Sequence, residues 1–173
     1  MQGRADLPLS PEGRTEVLGW HLPEAWADAR WLSSPLRRAT ETAALLTDRP
    51  LDIEPRLIEM DWGAWEGFRL AELREKAPEA MPANEAKGLD FRPPGGESPR
   101  EVRARLESLL ADLADDLVVC VTHKGVIRAA LSLATGWDML AKPPVRLTGD
   151  AALILKRDES GGRLEMTAAR LTG

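Results

Sequence analysis

A histidine, His123, stands where an apolar run gives way to a helical pattern. Residues 117–122 read LVVCVT, apolar and β-branched without polar alternation, which is typical of a strand buried on both faces of a parallel sheet. From Val126 onward the apolar residues recur at near-helical spacing, so His123 is predicted to lie between a strand and a helix. Ligands bind beyond the carboxyl ends of such strands, where free helix N–H groups favour an anion. The position therefore predicts an anion site.

A pair of arginines follows a second predicted strand. Residues 30–33 read RWLS, and the Ser-Pro pair after them marks the start of a helix over residues 36–47. Arg37 and Arg38 therefore fall in the first turn, where a cation opposes the helix dipole. The pair is either a solvated basic surface or a clamp for phosphate or carboxylate, because a guanidinium fork matches such oxygens two at a time.

Three acids lie in a loop rich in tryptophan and glycine. The segment IEMDWGAWEG contains Glu59, Asp61 and Glu66. A carboxylate between apolar neighbours can have its pKa raised enough to donate a proton near neutral pH. Taken singly, each of these acids fits a solvated or capping residue better than a catalytic one.

The composition restricts the class of protein. The 173 residues fit one domain spanning the whole chain, and the net charge of -5 argues against nucleic acid or a membrane surface as partner. Two histidines and one cysteine provide no zinc-type ligand cluster, so neither a metal nor another cofactor is predicted. The lone Cys120 is interpreted as core packing in a reducing compartment, and the absence of a signal-like segment leads us to expect a cytoplasmic location.

The remaining segments alternate between helix and strand, which predicts an α/β domain. The predicted elements are a helix over residues 11–29 that includes His21 as a packing or solvent-edge residue, an edge strand over 51–54, a lid or disordered loop over 78–96, a helix from Pro99 with a capping box, and a hairpin of 151–156 and 164–170 turning over 158–162.

Five stretches occur in an order along the chain that a known family shares. They are QGRADLPLSPEG at residues 2–13, SSPLRRATETA at 33–43, IEMDWGAWEG at 58–67, PPGGES at 93–98 and VTHKG at 121–125. This set resembles the histidine phosphatases, also called phosphoglycerate mutase-like proteins, and its wording is similar to the small bacterial branch that includes alpha-ribazole phosphatase. The resemblance implies a three-layer α/β/α fold with a mostly parallel sheet.

The resemblance also implies roles for individual residues. Arg38 would hold the phosphoryl oxygens with His123 beside it, and Glu59 would protonate the leaving oxygen. The substrate side would be lined by Arg37, Gly3, Arg4 and Lys124, the last standing where the family has a small residue. Phosphoryl transfer needs positioning, cations around the equatorial oxygens and a proton for a poor leaving group, which these residues could supply.

One family motif has no counterpart in the sequence. The family's first, central strand ends in Arg-His-Gly, whose histidine attacks phosphorus, and this chain contains no such triplet. Within the predicted first helix, His21 cannot replace it. Either the chain is truncated, or it is a variant that fills the gap in the sheet by strand exchange or as a homodimer.

Two classes of function follow. The first is a phosphohistidine-type hydrolase, or a phosphomutase, acting on a small phosphorylated metabolite, with this chain expected to be inactive because the nucleophile is missing. The second is a non-catalytic anion-binding or protein-interaction module that uses Arg37, Arg38 and His123. An unrelated nucleotide-binding α/β protein is disfavoured, since no phosphate-binding glycine pattern follows any predicted strand.

Overall fold

Three parallel strands form the main sheet of the computed structural model, which describes residues 1–146, 148–157 and 164–172. They are β1 (Arg30–Ser33), β2 (Leu51–Ile53) and β3 (Val118–Val121), in the order β2-β1-β3. In this sheet Trp31 stands opposite Leu51 on one side and Val119 on the other. The predicted α/β fold with a parallel sheet is confirmed.

Six α-helices occur in the described part of the chain. They are α1 (Pro11–Leu18), α2 (Arg37–Leu46), α3 (Leu70–Lys76), α4 (Ala80–Glu85), α5 (Pro99–Asp112) and α6 (Lys124–Thr135). Helices α2 and α6 begin shortly after β1 and β3, so their first turns lie at the carboxyl ends of two neighbouring strands. None of these helices is long and apolar enough to cross a membrane.

The core lies between the sheet and the α5–α6 pair. Helix α5 begins at the predicted capping box, in which the Ser98 hydroxyl and the Glu101 carboxylate each accept the other residue's backbone N–H. The apolar stripe of α5 then packs against α6 and the sheet. The buried members of this cluster are Leu32, Leu57, Met60, Val102, Leu106, Leu109, Val126, Ala129 and Ala130.

Two sequence predictions about helices are wrong. The first helix ends at Leu18 and not near residue 29, because Gly19 caps it and Pro23 follows soon after. His21 therefore lies beyond the helix as an exposed residue, and its N–H donates to the carbonyl of Leu171. The predicted long loop over 78–96 contains α4, which is anchored by a buried Met81.

The predicted terminal hairpin is present as a separate antiparallel pair. Strands β4 (Ala151–Arg157) and β5 (Leu164–Arg170) place Ala151 opposite Arg170. Leu153 and Leu155 pack against the core, while the predicted turn at 158–162 lies outside the described residues.

Strand β3 pairs on one side only among the described strands, and its side chains are half-buried or exposed, which corrects the prediction that it is buried on both faces. In the part of the chain that the structure describes, β3 pairs only with β1, and no sheet contains both β3 and β4. Leu117 is 39% exposed and Cys120 is exposed as well, so the interpretation of Cys120 as core packing is wrong. The apolar pattern of a central strand thus coincides with an edge that carries free backbone groups.

Candidate active site

The carboxyl ends of β1 and β3 bring Ser34 and His123 together. Because Ser33 pairs with Val121 in the sheet, the residues just after both strands lie side by side. His123 Nε2 is 2.7 Å from Ser34 Oγ, and both residues are buried. His123 is also the residue that immediately precedes the first turn of α6.

The surroundings of His123 favour its neutral form. Burial lowers the pKa of this imidazole from 6.5 to about 4, and the positive charges of Arg38 and Arg105 act in the same direction. Near neutral pH, His123 is therefore an uncharged imidazole.

Glu59 is clamped against the start of α6. Its two carboxylate oxygens accept the backbone N–H of Gly125 at 3.1 and 3.2 Å, and Oε1 also accepts the N–H of Met60 at 2.7 Å. The close approach requires glycine, because a Cβ on Gly125 would lie 2.2 Å from Glu59 Oε1. The anion that the sequence predicts at this helix start is thus the protein's own carboxylate.

Burial gives Glu59 the character of a proton donor. Desolvation raises the pKa of this carboxyl group above its ordinary value. The N–H groups of Met60 and Gly125 and the charges of Arg38 and Arg105 oppose that rise. The buried side chain therefore keeps its proton to higher pH than an exposed glutamate.

Arg38 lies within electrostatic reach of both groups, since its charge lowers the pKa of Glu59 and of His123. The structure thus brings the three predicted catalytic residues to one end of the sheet. The guanidinium of Arg38 donates to the carbonyls of Ala5 and Gly3, each at 2.8 Å. Two backbone oxygens therefore occupy part of the predicted phosphate clamp.

The amino-terminal loop reaches this end of the sheet through Gly3 and Arg4. Gly3 has a positive φ of 51°, and a Cβ there would lie 2.1 Å from Glu66 Oε1. The Glu66 carboxylate accepts the N–H groups of Arg4 and Ala5 at 2.6 and 3.1 Å, which fixes the loop. Gly3 is therefore at the site, with its carbonyl and not its N–H directed at Arg38.

The Arg4 side chain is engaged by acids. Its guanidinium lies 3.3 Å from Asp61 and 3.7 Å from Glu97. Glu97 is also paired with Arg105 at 2.9 Å, so the four side chains form a network between the amino-terminal loop and α5. A substrate would have to compete with these carboxylates for Arg4.

Arg37 and Lys124 are exposed residues at the starts of α2 and α6. Arg37 pairs with Glu41 at 3.1 Å, and its backbone N–H donates to the carboxylate of Asp6 at 2.7 Å. Lys124 forms no ion pair with the residues that the structure describes. Both cations lie beside the carboxyl ends of adjacent strands, where they could meet a charged part of a substrate.

Three residues of this site were missed by the sequence analysis. The sequence predicts Ser34 as the start of a helix and as part of the stretch 33–43, and Gly125 as part of the stretch 121–125, whereas it does not single out Arg105. The Ser-Pro pair and the glycine that follows Lys124 are signals from which Ser34 and Gly125 could have been predicted. Nothing in the sequence links Arg105 to the loop that contains Glu59.

The opposite end of the sheet carries a separate surface cavity of about 680 Å³. It includes Ala29, Arg30 and Leu117, at the amino ends of β1 and β3, and is therefore remote from His123. Within residues 1–146, 148–157 and 164–172, no group of three or more His, Cys, Asp or Glu side chains could hold a metal ion.

Comparison with known proteins finds one family over nearly the whole chain. A family model described as the histidine phosphatase superfamily (branch 1) matches residues 1–169. Glucosyl-3-phosphoglycerate phosphatase from Mycolicibacterium vanbaalenii is 33% identical over 173 aligned positions, which cover 89% of this chain and 75% of that protein.

Solved structures agree with this match. A mycobacterial glucosyl-3-phosphoglycerate phosphatase in complex with inorganic phosphate is 27% identical with a TM-score of 0.80, covering 100% of this chain and 91% of that one. The alpha-ribazole phosphatase from Shigella flexneri is 25% identical with a TM-score of 0.81, covering 100% and 90%.

Proposed function

Because the chain belongs to the histidine phosphatase superfamily (branch 1), we propose that it supplies the phosphoryl site of an enzyme that hydrolyses a phosphate monoester through a phosphohistidine. The observation that supports this most directly is the shared neighbourhood of Arg38, Glu59 and His123. The Glu59 carboxylate accepts the N–H of Gly125, two residues after His123, and His123 contacts Ser34, four residues before Arg38. A phosphomutase would use the same groups, with a second hydroxyl in place of water.

The proposed chemistry assigns each group one task. A histidine nitrogen forms a bond to phosphorus while the ester P–O bond breaks, and Glu59 gives its proton to the leaving oxygen. Water then attacks phosphorus, the N–P bond breaks, and the Glu59 carboxylate accepts the proton of that water. Throughout, the N–H groups of Arg38 that Gly3 and Ala5 leave free hold the equatorial oxygens.

We further propose that the 173-residue chain alone does not turn over a phosphate ester. It contains two histidines, of which His21 is an exposed residue beyond α1 and His123 is bound to Ser34. Among the described strands β3 pairs on one side only, which supports the same proposal, because an added parallel strand on the other side would end beside His123 and could carry the nucleophile. A strand from a second copy of the chain would cover that edge as a homodimer.

The proposed substrate is a small phosphorylated metabolite in the cytoplasm. The names of the relatives describe phosphatases of such compounds, and the net charge of -5 disfavours nucleic acid. The alternative function is a non-catalytic anion-binding module. This alternative is favoured by a site that has cations for an anion but no nucleophile. The cations are Arg38 and Lys124, and Lys124 forms no ion pair with the described residues.

Adding the missing motif tests the proposal. An apolar strand ending in Arg-His-Gly is joined ahead of Met1, and a second version ends in Arg-Ala-Gly. We expect only the histidine version to hydrolyse p-nitrophenyl phosphate and to become phosphorylated. Turnover by the 173-residue chain at the same rate would contradict the nucleophile proposal, and vanadate binding without turnover in all three would favour the anion-binding module.

The role of Glu59 is tested in the histidine version. Replacing an acid catalyst typically costs about 10²–10⁴ in rate, so Glu59→Gln should lower the turnover of an alkyl phosphate by that factor. The loss should be smaller for p-nitrophenyl phosphate, whose leaving group needs no proton. Glu107→Gln, an exposed acid on α5, is the matched control. Equal losses for both substrates would exclude Glu59 as the acid.

A further inference from the structure

The hydroxyl of Ser34 has few possible partners. Ser34 is 0% exposed, and its Oγ lies 2.7 Å from His123 Nε2. The backbone N–H of Leu36 donates to the same oxygen at 3.3 Å. A serine hydroxyl offers one proton and two acceptor positions, so Leu36 uses one acceptor position and leaves the proton to be satisfied.

Only one acceptor lies within hydrogen-bond distance of that proton among the residues that the structure describes, and it is His123 Nε2. If Nε2 carried a hydrogen, it would donate to the second acceptor position of Ser34 Oγ, and the Ser34 proton would remain buried without a partner. Such an unsatisfied donor costs more free energy than a normal hydrogen bond contributes. The arrangement is satisfied only when Ser34 donates and Nε2 accepts.

We propose that Ser34 is a positioning residue that holds neutral His123 in the tautomer with its hydrogen on Nδ1. Nδ1 makes no hydrogen bond to the described part of the chain. It is also not fully buried, since Trp20 Nε1 is the side-chain atom of the described residues that is both fully buried and without a partner. It is therefore available as an N–H donor to a bound oxyanion. That last step rests on the proposed function, whereas the tautomer itself does not.

The consequence concerns how the site handles charge. His123 donates a hydrogen bond as a neutral imidazole, so the fixed positive charge comes from Arg38 and the mobile proton from Glu59. The pKa of His123 is near 4 because of burial and of the charges of Arg38 and Arg105. These effects and the Ser34 contact all favour the neutral imidazole. Protonation at Nε2 would reverse the direction of that hydrogen bond and leave the Ser34 proton without an acceptor, which further opposes the cation.

The tautomer can be measured without substrate. Protein labelled with ¹⁵N-histidine is recorded near neutral pH by long-range ¹H–¹⁵N NMR, and because the chain has two histidines, His21→Gln assigns the signals. We expect His123 in the unchanged protein to show a protonated-type Nδ1 and an unprotonated-type Nε2. In Ser34→Ala the signals should shift to a mixture of tautomers or to the Nε2–H form.

Ser33→Ala is the matched control. Ser33 is equally buried and precedes Ser34, but its hydroxyl donates to the backbone carbonyl of Ser34 at 3.0 Å. Its loss should cost stability and leave the tautomer unchanged. Should Ser34→Ala not fold, Ser34→Cys, whose thiol is a weaker donor, should give a partial shift. An Nε2–H or cationic His123 in the unchanged protein, or the same tautomer in Ser34→Ala, would overturn the proposal.

Discussion

The carboxylate of Glu59 and the backbone N–H of Gly125 form the contact that joins the tryptophan-rich loop to helix α6. Both carboxylate oxygens lie 3.1 to 3.2 Å from that nitrogen, in the space that a side chain at residue 125 would fill. His123 is two residues earlier in the chain, so one helix start positions both the proposed acid and the proposed oxyanion donor.

Gly125→Ala should destabilise the chain despite the better helix propensity of alanine. Its Cβ would lie 2.2 Å from Glu59 Oε1 and 3.2 Å from Met60 Cβ, so the buried carboxylate must move away from the N–H groups that donate to it. Overpacking of this kind typically costs about 1–3 kcal/mol. Urea unfolding measures the change in the free energy of unfolding.

The same substitution in a Glu59→Ala background separates this clash from other effects. With the carboxylate gone, Gly125→Ala should be close to neutral, because the helix propensity of alanine, worth up to about 1 kcal/mol, offsets the remaining tight contact with Met60 Cβ at 3.2 Å. An equal loss of stability in both backgrounds would show that the cost of Gly125→Ala does not arise from a clash with the Glu59 carboxylate.

His123 should make the chain less stable as the pH falls. Its pKa is about 4 in the folded state and ordinarily 6.5, so between these values the unfolded chain binds a proton that the folded chain does not. The free energy of unfolding should therefore decrease from pH 6.5 toward pH 4. The limit of this contribution is about 3 kcal/mol, since one pKa unit corresponds to about 1.4 kcal/mol.

Chemical denaturation across this pH range, with and without His123→Gln, isolates the effect from that of the carboxyl groups. The difference between the two proteins should shrink steadily with acidification. His21→Gln, which changes an exposed histidine, is the matched control. A constant difference between unchanged protein and His123→Gln would mean that His123 has no depressed pKa.

The sequence predicts Arg38, Glu59 and His123 as site residues because each lies in a motif next to a predictable element boundary. It did not reveal that Gly3 and Ala5 occupy the guanidinium of Arg38, since carbonyls of a loop leave no pattern in residue type. The predicted extent of the first helix is wrong because apolar residues continue at helical spacing beyond Gly19, although this glycine ends the helix. Glycine is a known signal for a helix end.

Strand β3 shows a different limit of the sequence. The run of residues 117–122 correctly indicated a strand, but pairing partners decide burial, and β3 has β1 on one side only among the described strands. The apolar pattern therefore predicts a strand covered on both faces, whereas the structure shows β3 half-buried. Half-buried valines and an exposed Cys120 are the result.

Hydrogen exchange should detect the free edge of β3. The N–H of Arg30 donates to Leu117 and that of Ser34 to Val121, so in a parallel ladder the N–H groups of Val118 and Cys120 point away from β1. These two amides should exchange much faster than that of Val119. Joining the Arg-His-Gly strand should slow them to a similar rate.

The concentration dependence of this exchange distinguishes the two ways of covering the edge. If a second copy of the chain pairs with β3, the amides of Val118 and Cys120 should become protected as the protein concentration rises. Protection at every concentration, without an added strand, would contradict the assignment of β3 as an open edge.

We propose Arg38 as the anchor of the phosphoryl site, and calorimetric titration of the 173-residue chain with inorganic phosphate tests this most directly. Saturable binding is expected, and Arg38→Lys should weaken it about 10- to 100-fold, since hydrogen bonds to charged groups contribute about 1.5–3 kcal/mol and lysine lacks the fork. Arg49→Lys, an exposed arginine paired with Asp28, should bind phosphate as the unchanged chain does. No saturable binding, or equal affinity in Arg38→Lys, would contradict the account.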